Sequence, residues 1–151
     1  MHWTRCANPA WSMVFDEADR VATIELEKDR DVVRARSRVA DAMKACGSSD
    51  LMQTRFVTAV SEVVRNALTH AGGGTLAIYA MPGQRQVGIE CRDAGRGIAD
   101  IDAAMVDGFT TRRGSMGRGL GGAKRLSKAF AIESSSENGT TVRMIGACSL
   151  R

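Results

Sequence analysis

Glu62, Asn66 and His70 recur every four residues in a stretch that also carries Val60, Val63, Val64 and Ala67. On an α-helix this spacing lines three polar side chains along nearly one face while the apolar ones cover the rest. A carboxylate able to take a proton, an amide oxygen suited to a hard cation, and an imidazole then stand in one row. A solvated helix face has the same pattern, so the row by itself leaves both readings open.

Two further segments bear on that choice. Asp93-Ala-Gly-Arg-Gly-Ile98 begins where an apolar strand ends, which places a carboxylate at a strand terminus beside two glycines that allow a planar ligand close to the backbone. Such a carboxylate can accept from an exocyclic amine like that of adenine, although turns after strands often carry Asp and Gly for conformational reasons alone. Gly114-Ser-Met-Gly-Arg-Gly-Leu-Gly-Gly122 then opens a helix, where unpaired N–H groups and the positive dipole end suit phosphate. Arg112, Arg113, Arg118, Lys124 and Arg125 surround it, and Phe109 to Lys128 holds six basic residues and no acidic one. It is neither a Walker loop, since no Gly-Lys-Ser/Thr ends it, nor a dinucleotide-binding turn, since it does not directly follow the first strand.

The elements that must position these segments are legible from periodicity. Residues 20–27 alternate as a strand, and residues 29–46 place Val32, Val33, Ala35, Val39, Ala42 and Met43 at helical spacing. Gly47-Ser-Ser-Asp50 closes that helix and caps a second one over residues 51–71, which Gly72-Gly-Gly74 ends. Residues 75–81 and 86–92 read as a hairpin turning at Pro82-Gly83. A short helix near 101–106, a helix over 121–129 and a closing strand pair, 130–135 and 140–148, complete the chain.

With 151 residues, 44% hydrophobic and 25% charged, the chain fits one soluble domain with its own core. Its apolar runs are far shorter than the roughly 20 residues a membrane span requires, and its start lacks the pattern of a secretory signal. A cytoplasmic protein is expected. Cys6, Cys46, Cys91 and Cys148 form no CxxC pair, so they are expected as reduced, mostly buried groups, not as zinc ligands or disulfides. The net charge of +4 is concentrated around the glycine-rich segment, as an anion site requires.

The ordered set of helix Glu-x-x-x-Asn, strand-end Asp-x-Gly-x-Gly, glycine-rich helix start and final Gly139-Thr140 resembles the GHKL, or Bergerat-fold, ATPases and kinases, over roughly residues 21–145. The resemblance implies an α+β, two-layer sandwich: a mixed, mostly antiparallel sheet covered on one face by helices. The compact size and the segment from Asp107 to Phe130 resemble the small kinases of bacterial sigma-factor partner switching, of the RsbT type. That likeness implies an ATP-dependent serine/threonine kinase acting on STAS-domain proteins of a stressosome-like complex, able to activate a phosphatase when released.

Carried over by motif, the resemblance makes Glu62 the general base and Asn66 the oxygen ligand of Mg²⁺. Asp93 would hold the adenine amine, with Gly95, Gly97 and Ile98 shaping the base pocket and Thr140 supporting Asp93 directly or through water. Gly117 and Gly119 would donate N–H groups to phosphate, flanked by Arg118 and Leu120, with Thr110 and Thr111 in the lid. His70 receives no role. Residues 1–18 are expected to be an N-terminal extension and 19–151 the kinase domain; Met13 lies nearer to where such kinases begin, and Trp3 and Trp11 are suited to cover an apolar patch or assist dimerisation.

Two other readings stand beside the kinase: an anti-sigma factor that sequesters a sigma factor, and a domain that binds ATP only as a switch. A nucleic-acid-binding role is disfavoured, because the aromatic content of 5% leaves little to stack on bases. Nothing in the sequence sets the oligomeric state.

Overall fold

The structure, a computed structural model, describes residues 4–5, 14–106 and 119–149. Its elements in chain order are β1 (Thr4–Arg5), β2 (Arg20–Leu26), α1 (Arg30–Ala45), α2 (Asp50–Ala71), β3 (Gly74–Met81), β4 (Gln86–Arg92), α3 (Ile101–Ala104), α4 (Gly119–Leu126), β5 (Ala129–Ser135) and β6 (Gly139–Ala147). The strands form one six-stranded sheet in the order β1-β5-β6-β4-β3-β2.

The expected α+β sandwich is found, and its sheet, expected as mixed and mostly antiparallel, is antiparallel at every pairing among the described residues. The connections explain it. β3–β4 and β5–β6 are hairpins, and β2 reaches β3 through two helices, α1 and α2, an even number that returns the chain in the opposite direction. The connection from β4 to β5 carries α3 and α4, and β6 lies between those two strands, antiparallel to each.

Period-two alternation gives each central strand one row of buried apolar side chains. Leu76 and Ile78 align with Cys91 and Ile89, and these with Val142 and Met144, then with Ile132 and Phe130. Against this face pack Ala35, Val39 and Met43 of α1 and Phe56, Val60, Val63, Val64 and Ala67 of α2, all buried. The opposite face is partly charged, with Glu90 bonded to Arg92 and Arg143 at 2.7 Å each, and partly covered by Phe15, whose ring stacks on Tyr79 at 4.6 Å.

Local chemistry sets the ends of the helices around the site. Ser49 caps α2 by accepting from the Met52 N–H at 3.2 Å, and Gly72 in the left-handed region (φ 73°) stops it. The last helix, expected over 121–129, runs instead from Gly119 to Leu126. It ends there because Ser127 Oγ takes up the Ala123 and Lys124 carbonyls and Ala129 already pairs with Ile145. Of the four cysteines, Cys46, Cys91 and Cys148 are buried free thiols. Burial pushes Cys91 up to about 12 and Cys148 up to about 11, so neither ionises near neutral pH.

Asp31 fastens the start of α1 to the end of β2. Its buried carboxylate accepts from the Glu27 and Lys28 N–H groups at 2.9 and 3.0 Å and from Arg34 at 2.8 Å. The backbone donors first, then Arg34, hold its pKa down at about 2. Because the folded value lies below the unfolded one, this stabilisation is complete above about pH 4 and is lost as pH falls toward 2. An Asp31→Asn variant should melt lower than the parent at pH 7, and the gap should close between pH 4 and 2 in thermal melts. A gap that stays constant across that window would exclude the linkage.

Candidate active site

α2 turns its expected polar row from the protein interior toward solvent. Glu62 is 4% exposed, Asn66 is half-buried and His70, at the last turn, is exposed. A buried carboxylate is costly unless it is hydrogen-bonded or paired, and Glu62 is both. Its Oε2 accepts from the N–H of Gly119, the first residue of α4, at 3.0 Å, and its Oε1 lies 3.9 Å from Arg65 Nη1 one turn along the helix. The glycine-rich helix start and the Glu-x-x-x-Asn helix, far apart in sequence, are therefore in direct contact.

Asp93 follows the last residue of β4 and extends the ladder through its N–H to the Thr140 carbonyl at 2.9 Å. Its Oδ1 accepts from the Gly95 N–H at 3.0 Å and the Thr140 N–H at 3.2 Å. No hydrogen bond to Oδ2 occurs among the described residues, so one carboxylate oxygen remains for an amine. Support from Thr140 is thus direct and comes from its backbone, while its hydroxyl engages Ser134 Oγ at 2.8 Å.

Close approach dictates the glycines here. Gly97 has φ 78°, and a Cβ on it would stand 2.5 Å from the Ser135 carbonyl oxygen; one on Gly95 would stand 2.6 Å from the Ala71 Cβ at the end of α2. Ile98, half-buried against the core, donates its N–H to Ser134 Oγ at 2.7 Å. Two residues escaped the sequence reading. Ser134 was hidden in the run Ser134-Ser-Ser136, and its signal was alternation, since two residues after buried Ile132 it faces the core. Arg65 sits between Val64 and Asn66 and carries no motif of its own.

Gly119 and Leu120 open α4, with Leu120 buried. Thr110, Thr111, Gly117 and Arg118, with Arg112 and Arg113, lie outside the described residues. The Gly119 N–H, expected at phosphate, donates to Glu62 in this structure, so one donor is drawn on by both roles. The residues present suit Mg²⁺ bound together with a nucleotide. No group of three or more His, Cys, Asp or Glu able to hold a metal occurs among the described residues. Asn66 presents an amide oxygen for which no hydrogen bond is found among them. Magnesium commonly takes one or two protein oxygens and completes its shell with phosphate and water.

This helical cover on an antiparallel sheet, with an acidic residue on the long helix facing a glycine-rich helix start, defines an ATPase domain of the histidine kinase type. The chain belongs to the histidine kinase-like ATPase domain family, whose pattern it matches over residues 25–146. It is 36% identical over 124 residues to the serine/threonine-protein kinase RsbT of Bacillus subtilis, covering 81% of this chain and 92% of that protein. An anti-sigma F factor of Caldanaerobacter subterraneus is 37% identical over 92 residues, covering 58% of this chain and 64% of its own length. Among solved structures, one of the RsbU and RsbW domains of a Mycobacterium tuberculosis protein shares the fold, with a TM-score of 0.59 and 19% identity, covering 87% of this chain and 34% of that one.

Proposed function

We propose that this chain is an ATP-dependent protein serine/threonine kinase of a bacterial partner-switching pathway, with STAS-domain proteins as its substrates. The observation that carries the reading is the placement of the buried Glu62 carboxylate against the first N–H of α4. Likeness to RsbT over nearly that protein's whole length favours a protein hydroxyl as the acceptor. Residues 19–151 are the kinase domain in this reading and 1–18 an extension. No helix among the described residues is long and apolar enough to cross a membrane, which accords with work in the cytoplasm.

In the proposed reaction Glu62 takes the proton of a substrate Ser or Thr hydroxyl, whose oxygen attacks the γ-phosphorus of ATP as the bond to ADP breaks. Asp93 holds the adenine amine through its Oδ2, and Gly95, Gly97 and Ile98 shape the base pocket. The helix start at Gly119 and Leu120, with Gly117 and Arg118, faces the phosphates, and Thr110 and Thr111 belong to the lid. Asn66 would hold Mg²⁺, which supplies charge neutralisation on the phosphates. A second reading, an anti-sigma factor that binds a sigma factor, is favoured by the match to anti-sigma F factors.

The test is transfer of labelled γ-phosphate from Mg-ATP to STAS-domain proteins encoded beside this chain. Transfer to Ser or Thr is the expected result and supports the switch kinase. ATP binding without transfer would overturn it in favour of a nucleotide-gated binder, for which co-purification with a sigma factor or a phosphatase is the next observation to seek.

A further inference from the structure

We propose that Ser134 is a positioning residue that sets the preference of this site for adenine over a 6-keto purine, an inference resting on the nucleotide-binding reading above. Its side chain touches no nucleotide in that reading. It acts through the two backbone donors that fix Asp93.

Those donors come from separate parts of the chain. The Gly95 N–H belongs to the loop after β4, and the Thr140 N–H belongs to the start of β6. Thr140 is held in β6, opposite Ser134 and with its carbonyl accepting from the Asp93 N–H, whereas Gly95 lies in a loop with Gly97 in the left-handed region, so the loop has little intrinsic stiffness. Ser134, 1% exposed on β5, ties both together. It accepts from the Ile98 N–H at 2.7 Å, which pins the far end of the loop, and its hydroxyl shares a hydrogen bond of 2.8 Å with Thr140 Oγ1. A Cβ on Gly97 would come within 3.1 Å of the same Ser134 Oγ, so the loop is seated directly on this hydroxyl.

The chemical consequence concerns orientation. A carboxylate with one oxygen saturated by two N–H donors keeps the other as a pure acceptor in a fixed direction, which fits an amine and opposes a keto oxygen. Loosening either donor lets the carboxylate swing, and the discrimination falls while the phosphate end of the site is untouched. In Ser134→Ala the Ile98 N–H and the Thr140 hydroxyl both lose a buried partner, so the loosening reaches both donors.

The experiment is calorimetric binding of ATP and of inosine triphosphate, which carries a keto oxygen in place of the amine, to the full chain and its variants. The parent should prefer ATP. In Ser134→Ala the ATP Kd should rise about 10-fold and the inosine triphosphate Kd by less than about twofold, so the preference drops correspondingly. Ser135→Ala removes the neighbouring hydroxyl, which accepts only from the Asn138 N–H of the β5–β6 turn at 3.0 Å among the described residues, and should keep the parent preference. Where a melt shows Ser134→Ala unfolded, Ser134→Cys fills the site with a weaker hydrogen-bonding group and is judged by the same ratio. A folded Ser134 variant with the parent ratio, or equal weakening for both nucleotides, overturns the inference and leaves the nucleotide reading intact. A parent that binds ATP no better than inosine triphosphate removes the adenine assignment of Asp93 and the inference with it.

Discussion

Replacing Glu62 with glutamine should slow phosphoryl transfer by about 10²- to 10⁴-fold, the usual weight of a general base, while ATP affinity stays within about threefold of the parent. The variant is informative because of where the side chain lies. Glu62 is buried between α2 and α4, so truncation would open a cavity and leave the Gly119 N–H without its acceptor. Glutamine keeps the volume and an oxygen able to accept from that N–H, and loses the capacity to take a proton together with the charge facing Arg65. Single-turnover transfer to a STAS-domain substrate, with calorimetric ATP binding alongside, separates the two effects. Undiminished transfer would remove the base role, and a matching loss of affinity would recast Glu62 as a structural prop of α4.

The reach of the sequence differs from feature to feature for physical reasons. Four-residue spacing put Glu62, Asn66 and His70 on one face of α2, Pro82-Gly83 marked the first hairpin and alternation the closing strand pair, because periodicity and turn chemistry are local. Burial along that face was not local. Glu62 is the buried end because α4, 57 residues away, meets it, while His70, at the last turn, is exposed. The same limit hid Ser134, whose partners Ile98 and Thr140 meet only when β5, β6 and the loop after β4 converge. The antiparallel direction of every described pairing depends on strand order, which no single segment encodes. β1 was missed because a strand of only Thr4 and Arg5 has no period to detect. The glycine-rich start of α4 was placed two residues late, since glycine is the weakest helix former after proline and tertiary contact with α2 overrides that propensity.

Asn66 gives the second large effect. Replacing it with alanine should weaken ATP binding in magnesium by about 10- to 100-fold and leave binding in excess EDTA close to that of the parent. The reason lies in the donor inventory. With no cluster of carboxylates able to hold a cation among the described residues, a magnesium ion in this site depends on the nucleotide's phosphates and on very few protein oxygens. Asn66 stands one turn beyond Glu62 on the same face of α2, half-buried, so the helix holds it in the row where the proposed function puts the ion. Asn66→Asp keeps an oxygen donor but adds a negative charge beside Glu62 and the phosphates, and it should weaken binding in EDTA as well, which alanine should not. Calorimetry of the three proteins with and without magnesium therefore distinguishes loss of a ligand from charge repulsion. An alanine variant that gains as much affinity from magnesium as the parent would place the metal's protein ligand elsewhere and leave Asn66 as a lining residue of α2.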